Sequence, residues 1–225
     1  MPVVPHRPAQ PRATGGLPSE LVAQGLRAAR TAIETEAAAV SALADRLDGV
    51  FLDVLIAVAG CEGHLVVTGL GKSGLVGRKI AATLASTGTP ATFIHAGDAL
   101  HGDSGAVTTR DLVLALSASG ETAEVCAFAR MLAERGIPVI AMTGAEDSTL
   151  AKLATYTLDT MVLREADPLN LAPTASTTAA LVMGDALACA LVVLRDFTHH
   201  DFARFHPSGA LGQKLQGQEL VGEGS

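Results

Sequence analysis

HLVVTGLGKSG, residues 64–74, is the stretch of sequence that decides the fold. Its first five residues form a β-rich run, and the glycine-rich turn after them opens a helix that ends at Gly88 and Pro90. Residues 91–94 then predict a second strand. A strand, a helix and a strand in this order predict two parallel strands with the helix packed against the sheet.

The same alternation continues toward the C-terminus. Further strands are predicted at residues 112–116, 139–142 and 155–163, and a long apolar helix at residues 177–194. We therefore expect an α/β domain of the flavodoxin-like kind, a doubly wound parallel five-stranded sheet flanked by helices. Ligands bind at the carboxyl ends of the strands in such sheets, so the candidate functional residues are those that follow each strand.

Composition agrees with this fold and excludes some functions. Of the 225 residues 48% are hydrophobic and only 3% aromatic, so the interior must be aliphatic. A formal net charge of −7 and the lack of stacking aromatics argue against a nucleic-acid partner. An anionic ligand must therefore be held by local backbone dipoles and a few cations, because the overall field repels it.

The chain begins with a segment of different character. Residues 1–16 carry four prolines and no hydrophobic period, which predicts a disordered arm. After it Leu26, Ile33, Val40 and Leu47 recur every seven residues, which predicts one long N-terminal amphipathic helix before the sheet. The seam of this helix packs either within the chain or against another subunit, and the sequence leaves both open.

The three cysteines and the apolar segments bear on the compartment. Cys61, Cys126 and Cys189 form no CxxC pair, which favours reduced thiols. No N-terminal stretch resembles a signal peptide, and the most apolar segment, residues 186–194, is shorter than the ~20 residues of a membrane span. We expect a cytoplasmic protein without a membrane partner.

The first loop, residues 69–74, matches the dinucleotide pattern G-x-G-x-x-G, a weak signal when it stands alone. The phosphate-binding pattern G-x-x-x-x-G-K-S fails because Val66 occupies the place of its leading glycine. Lys72 is unusual in a dinucleotide turn, and a lysine there suits a phosphate or a developing oxyanion.

The second loop, residues 117–122, again lies between a strand and a helix. Ser117, Ser119 and Thr122 place hydroxyls beside a glycine and the free amides of a helix start, which together can hold a phosphate monoester. The alternative is a helix N-cap with incidental serines. A small phosphosugar would use both loops, with its phosphate at one and its carbons over the other.

Four further residues could move protons in such a substrate. His101 follows the second strand, Glu124 lies in the first turn of a helix, Glu165 ends the fifth predicted strand, and His206 lies in the segment FHPSGALG. We expect partial burial to raise the pKa of Glu165, whereas Glu124 could simply favour a helix N-terminus. Loop positions are expected for His199 and His200. The spacing of the histidines does not favour a metal.

These residues lie in motifs that resemble a known family. Over residues 19–215 the sequence is similar to arabinose-5-phosphate isomerases of the sugar isomerase (SIS) domain class. The segments that carry the resemblance are GKSG (71–74), ASTGTP (85–90), HGD (101–103), SASGETAE (117–124), LAPT (171–174), MGDAL (183–187) and HPSGAL (206–211).

The resemblance implies a function and a set of site residues. It implies reversible conversion of D-ribulose 5-phosphate to D-arabinose 5-phosphate, for the octulosonate of lipopolysaccharide, by a homotetramer without a cofactor or metal. The implied catalytic groups are Lys72, His101, Glu124, Glu165 and His206. The implied phosphate loop comprises Ser117, Ser119 and Thr122, with Ser73 nearby. In this family some histidines reach the site of a neighbouring subunit.

The sequence departs from the family pattern at a few positions. Asp98 stands in place of a glutamate, Ser104 in place of a leucine, and Asn170 and Ser208 in place of glycines. We expect the SIS domain to span residues 17–215, followed by a tail at 216–225. Many members continue with tandem CBS modules, so the chain is either a short form or a cut one.

The sequence leaves three alternative functions to consider. A non-catalytic phosphosugar sensor needs only the phosphate loop, and the presence of all five candidate catalytic groups argues against it. A nicotinamide-dependent dehydrogenase is disfavoured by Lys72 and by the second loop. An isomerase of a different sugar phosphate stays open.

Overall fold

The computed structural model describes residues 16–207, so the expected N-terminal arm, the tail and Ser208 lie outside the described residues. The strands are β1 Leu65–Gly69, β2 Ala91–His95, β3 Leu112–Leu116, β4 Val139–Thr143 and β5 Tyr156–Asp159. The helices are α1 Ser19–Ser41, α2 Gly49–Ala59, α3 Gly71–Ser86, α4 Ala96–Ala99, α5 Ala123–Glu134, α6 Thr149–Leu153, α7 Ala175–Leu194 and α8 His199–Phe205, with 3-10 turns at Ala44–Arg46 and Asp103–Ala106.

All five strands are parallel, in the order β2-β1-β3-β4-β5. Gly69 at the end of β1 pairs in register with His95 of β2 and Leu116 of β3. The three loops that follow these strands therefore meet at one edge of the sheet. This confirms the doubly wound fold and its five strands.

Both faces of the sheet are covered, as the alternation of side chains along a strand requires. Val67 packs in a core with α2, α3 and α7, whereas Val66 packs in a second core with α5 and α6. Gly184 of α7 lies so close to Ile80 of α3 that an added Cβ would come within 2.5 Å of it. The two helices therefore pack backbone to side chain on one face of the sheet.

The fifth strand is shorter than the sequence predicts. β4 ends at Thr143, and the amide of Thr160 donates to the carbonyl of Thr143 at 2.9 Å, so no further backbone of β4 is available for pairing. The apolar residues 161–163 suggested strand but lie partly or largely exposed in a loop. Glu165 consequently lies between β5 and α7 rather than at a strand end.

Four helices were not predicted, namely α2, α4, α6 and α8. α2 follows the 3-10 turn, and its N-cap Asp48 accepts hydrogen bonds from the amides of Val50 at 2.9 Å and Phe51 at 3.2 Å. α1 therefore ends at Ser41, before the last position of the seven-residue pattern. α8 contains His199 and His200, so their expected loop position is wrong, because Thr198 and Asp201 form a capping box that begins a helix there.

The most apolar helix is longer than the segment that the sequence indicated. α7 has 20 residues, and an 18-residue window within it has a mean hydropathy of 2.0, which is the length and composition of a membrane span. Ala179, Met183, Leu187 and Leu191 lie on its buried side, in the core against α3. In this fold the helix is a central packing element of the domain.

Candidate functional site

The candidate site lies where the strand order reverses, between β1 and β3. The connections that follow β1 and β3 run to opposite faces of the sheet, which opens a crevice at its carboxyl edge. Ser73 from the first loop and Ser117 from the second line the same small cavity, of about 10 Å³, together with Thr160 and Ser176. The structure thus joins the two loops that the sequence singled out.

Close packing and backbone conformation explain the glycines of the first loop. Gly71 begins α3 with φ of 56°, and a Cβ at Gly74 would lie 3.0 Å from the carbonyl oxygen of Gly69. These contacts account for the glycine pattern without a dinucleotide. Lys72 is exposed in the first turn of α3, and it has no hydrogen bond or ion pair with the other residues in 16–207.

The second loop presents hydroxyls and amides together. Ser117 is 2% exposed, and its Oγ lies 2.9 Å from Oγ1 of Thr122. Ser119 Oγ accepts a hydrogen bond from the amide of Glu121 at 3.2 Å. Thr122 occupies the N-cap position of α5, yet its side chain makes no capping hydrogen bond. The first amides of α5 are therefore not satisfied by a side-chain cap, which favours the anion-binding interpretation over a simple N-cap.

Gly120 holds this loop against the neighbouring segment before α6. Its φ is 66°, and an added Cβ would lie 2.0 Å from Oγ and 2.4 Å from Cβ of Ser148. The Gly120 carbonyl also accepts a hydrogen bond from the amide of Leu150 at 3.0 Å. Both the backbone conformation and the space require glycine at this position.

We expect Gly120→Ala to lower the free energy of unfolding by about 2 kcal/mol, because it adds overpacking to an unfavourable φ. Gly136→Ala is the matched control, since Gly136 has φ of 71° but nothing within 4 Å of an added Cβ. Urea unfolding of both variants measures the difference. Equal losses in the two variants would mean that the contact with Ser148 costs nothing.

Glu165 is the most densely bonded carboxylate at this edge of the sheet. Its Oε2 accepts hydrogen bonds from the amide and hydroxyl of Thr174 at 2.8 and 3.0 Å and from the amide of Ser176 at 3.2 Å. Its Oε1 accepts a further bond from the hydroxyl of Ser176. The carboxylate therefore lies against the N-terminus of α7, where a negative charge is stabilised.

These hydrogen bonds give Glu165 a lowered pKa, whereas the sequence analysis expected a raised one. Burial by itself raises the pKa of this carboxyl, but the hydrogen bonds from Ser176 and Thr174 favour the charged form more strongly and lower the pKa below its usual value. The expected raised pKa is wrong for this reason. The donors come from a helix that begins ten residues later, so the strand pattern around Glu165 gave no sign of them.

A second and larger cavity connects Glu165 with the phosphate-like loop. It has a volume of about 300 Å³ and shares Ala118, Thr160 and Ser176 with the small cavity beside Ser117. Glu165 and Asn170 line its outer part. Asn170 adopts φ of 55°, a conformation that favours glycine and that asparagine tolerates, which explains how it replaces the expected glycine.

Three candidates do not line these cavities. Lys72 lies next to Ser73, and Glu124 lies in the first turn of α5, close to the second loop along the chain. His101 is exposed after α4, beyond the edge strand β2. The strands β1, β3 and β4 lie between β2 and β5, so the strand before His101 and the strand before Glu165 are about 19 Å apart across the sheet.

His206 lies near the amino ends of the strands, at the edge of the sheet opposite the candidate site. The ring of Phe197 lies against Gly88, which precedes β2, and it stacks on Phe205 at 5.8 Å. His206 follows Phe205, with its ring stacked on Phe202 and its Nδ1 2.9 Å from the Phe202 carbonyl oxygen. The 16 residues of α3 separate this end from Lys72 by about 24 Å. One chain therefore does not bring His206 to Glu165.

Two functional candidates were missed by the sequence analysis. Thr160 is 4% exposed and Ser176 is 7% exposed, and both line the two adjacent cavities. The run TASTT at 174–178, which places four hydroxyls just before an apolar helix, is the signal that could have found Ser176. Thr160 carries no such signal, because its role depends on where β5 ends.

Comparison with known proteins gives a family match, two curated relatives and a solved structure. The SIS domain family model matches residues 60–190. The arabinose 5-phosphate isomerase KdsD of Pseudomonas aeruginosa is 51% identical over 190 residues, which are 84% of this chain and 58% of that protein. KdsD of Escherichia coli K12 is 56% identical over 155 residues, 69% of this chain and 47% of that protein.

The chain thus spans about half the length of these curated relatives. A solved structure of an Escherichia coli CFT073 protein in complex with A5P has 38% sequence identity and a TM-score of 0.78. That match covers 85% of this chain and 100% of the solved chain. The likeness therefore extends over the whole of a ligand-bound domain.

Proposed function

This chain belongs to the SIS domain family, and from that premise we propose that it is an isomerase that interconverts D-ribulose 5-phosphate and D-arabinose 5-phosphate. The observation that carries the proposal is the pair of adjacent cavities, which share three lining residues and have Ser73 and Ser117 on one side and Glu165 on the other. The relatives named arabinose 5-phosphate isomerase and the solved structure in complex with A5P support the same substrate.

The phosphate binds at the second loop in this proposal. Ser117, Ser119 and Thr122 offer hydroxyls, the start of α5 offers amides, and Ser73 approaches from the first loop. These are local donors, as a chain with a net charge of −7 requires for an anionic ligand.

The sugar carbons then extend toward Glu165. Glu165 takes the proton from C2 of the open-chain aldose and returns it to C1, and the reverse reaction uses the same group. Because its pKa is lowered, Glu165 is ionised at neutral pH and ready to accept that proton. Lys72 stabilises the oxygen of the enediolate or the phosphate. His101, Glu124 and His206 share ring opening and proton transfer between the oxygens.

The two histidines make a second copy of the chain part of the proposal. Neither His101 nor His206 lines the cavities beside Glu165 within one chain, so we propose that neighbouring subunits complete the site in a homotetramer. α1 supports this, because Leu26 is 63% and Ile33 71% exposed on a helix with no buried residue. In this proposal the reaction takes place in the cytoplasm and supplies octulosonate for lipopolysaccharide synthesis.

The proposed function is tested by adding D-ribulose 5-phosphate to purified protein without metal or nucleotide and following the products by NMR. Turnover to D-arabinose 5-phosphate supports the proposal. Tight binding without turnover would instead support a phosphosugar sensor. Turnover of another sugar phosphate alone would show a related isomerase with a different substrate.

The assembly is tested by Ile33→Asp, which places a charge on the exposed apolar face of α1. We expect a smaller species in size-exclusion chromatography with light scattering, and a loss of turnover because His206 of a neighbour no longer reaches the site. Glu34→Gln is the control, since Glu34 is an exposed neighbour in the same helix. A dissociated Ile33→Asp chain that kept its turnover would contradict a shared site.

A further inference from the structure

The segment 161–164 forms a wall between two cavities. On one side Val162, Leu163 and Arg164 line the 300 Å³ cavity that contains Glu165. On the other side the same three residues, with Met161, line an apolar cavity of about 260 Å³ beneath α1. The position of this wall therefore determines the shape of the candidate site.

This wall has few backbone restraints of its own. Sheet pairing stops at the bond between the Thr160 amide and the Thr143 carbonyl. Beyond it, the amide of Met161 donates to Asp159 Oδ1 at 2.7 Å, and the next backbone amide with a side-chain acceptor is Glu165, which donates to Asn170 Oδ1 at 2.7 Å. Met161 also passes within 3.0 Å of an added Cβ on Gly144.

Arg46 supplies the connection from outside the sheet. Its Nε lies 3.1 Å from Asp159 Oδ2, and its Nη1 donates to the carbonyl oxygen of Met161 at 2.7 Å. The side chains of Arg46 and Asp159 are only 18% and 26% exposed, so this pair is shielded from solvent. The planar guanidinium of Arg46 thus binds both the carboxylate of Asp159, the last residue of β5, and the carbonyl of Met161, the first residue of the wall.

We propose that Arg46 is a positioning residue for the isomerase site, which fixes the segment 160–165 and hence Glu165 relative to the phosphate loop. The inference rests on the proposed function. Arg46 ends the 3-10 turn that follows α1, so it also links the N-terminal helix to the site. Arg46 acts through the segment and does not touch the substrate.

The test compares Arg46→Met, Arg46→Lys and the control Arg27→Met. Arg27 lies in α1, and its ion pair with Glu20 is exposed at 62% and 72% of the two side chains. We expect Arg46→Met to lower kcat for D-ribulose 5-phosphate by about 10–100-fold, because a misplaced catalytic group costs rate. KM and the inhibition constant of inorganic phosphate should stay unchanged, since the phosphate loop is untouched.

Arg46→Lys should keep a higher rate than Arg46→Met, because an ammonium still reaches Asp159 but cannot bind the Met161 carbonyl at the same time. Hydrogen–deuterium exchange gives a readout that does not depend on turnover: amides in 160–165 of Arg46→Met should exchange about tenfold faster, and those in 117–122 unchanged. Absence of turnover in the unaltered protein would defeat the proposed function alone, since the exchange experiment still applies.

Three results would overturn the role of Arg46. The first is an unchanged kcat in Arg46→Met, and the second is unchanged exchange in 160–165. The third is an equal rise in KM and in the inhibition constant of phosphate, which would place the effect on the phosphate loop. All three variants are measured as the intact assembly, with the oligomeric state checked for each.

Discussion

Glu165→Gln is expected to lower kcat by about 10²–10⁴-fold, the contribution of a general base to a rate. Glutamine keeps the size of the side chain but cannot accept a proton from carbon. KM should change much less, because Ser117 of the phosphate loop and Glu165 line two different, adjacent cavities. Steady-state kinetics with D-ribulose 5-phosphate measure both constants.

Asp167→Asn is the matched control for this variant. Asp167 lies in the same loop and accepts three backbone bonds, from Leu169 at 2.9 Å, Leu171 at 2.7 Å and Ala172 at 2.8 Å, yet it does not line the site. If the loss in Glu165→Gln came only from a weakened loop, Asp167→Asn would lose rate to a similar degree. We expect Asp167→Asn to keep most of its rate.

The acidity of Glu165 adds a pH dependence of known sign. Its pKa in the folded chain is lowered below the usual value of 4.5, by hydrogen bonds that outweigh burial. The stability that the ionised carboxylate contributes is therefore fully present above the unfolded pKa and is lost as pH falls through the folded pKa. The difference in free energy of unfolding between the unaltered chain and Glu165→Gln should shrink below pH 4.5. A difference that grew toward acid pH would contradict the hydrogen-bonded carboxylate.

Local sequence patterns were sufficient to predict the sheet and the two loops at the point where the strand order reverses. β3 begins and ends where the sequence predicts, at Leu112 and Leu116, because a short aliphatic run bounded by polar residues has one stable place in a parallel sheet. Ser73 and Ser117 meet because β1 and β3 are neighbours, as they are in the strand order 2-1-3-4-5 of a flavodoxin-like sheet.

The features that the sequence did not predict depend on distant parts of the chain. The end of β5 is fixed by the end of β4, and the pKa of Glu165 by the start of α7. His206 is carried away from the carboxyl edge by the contact between Phe197 and Gly88. A periodic pattern contains none of these contacts, so the site could be predicted as a set of residue types and not as a geometry.

Lys72→Met is the second variant with a large expected effect, a loss of about 10²–10³-fold in kcat if the ammonium stabilises the enediolate oxygen. Folding should be unaffected, because Lys72 is exposed and has no hydrogen-bond or ion-pair partner within residues 16–207. Lys79→Met is the control: Lys79 lies on the same face of α3, about 10 Å further along the helix, and it pairs with Asp185 at 2.5 Å.

The two roles proposed for Lys72 separate in the kinetics. Loss of an enediolate contact lowers kcat and slows the exchange of substrate C–H for deuterium in D₂O, which NMR measures directly, whereas KM changes little. Loss of a phosphate contact raises KM and weakens inhibition by inorganic phosphate instead. We expect the first pattern, because Ser117, Ser119 and the amides of α5 already provide the donors that a phosphate needs. Near-normal constants in both Lys72→Met and Glu165→Gln would remove these two residues from the chemistry, even in a protein that turns over the substrate.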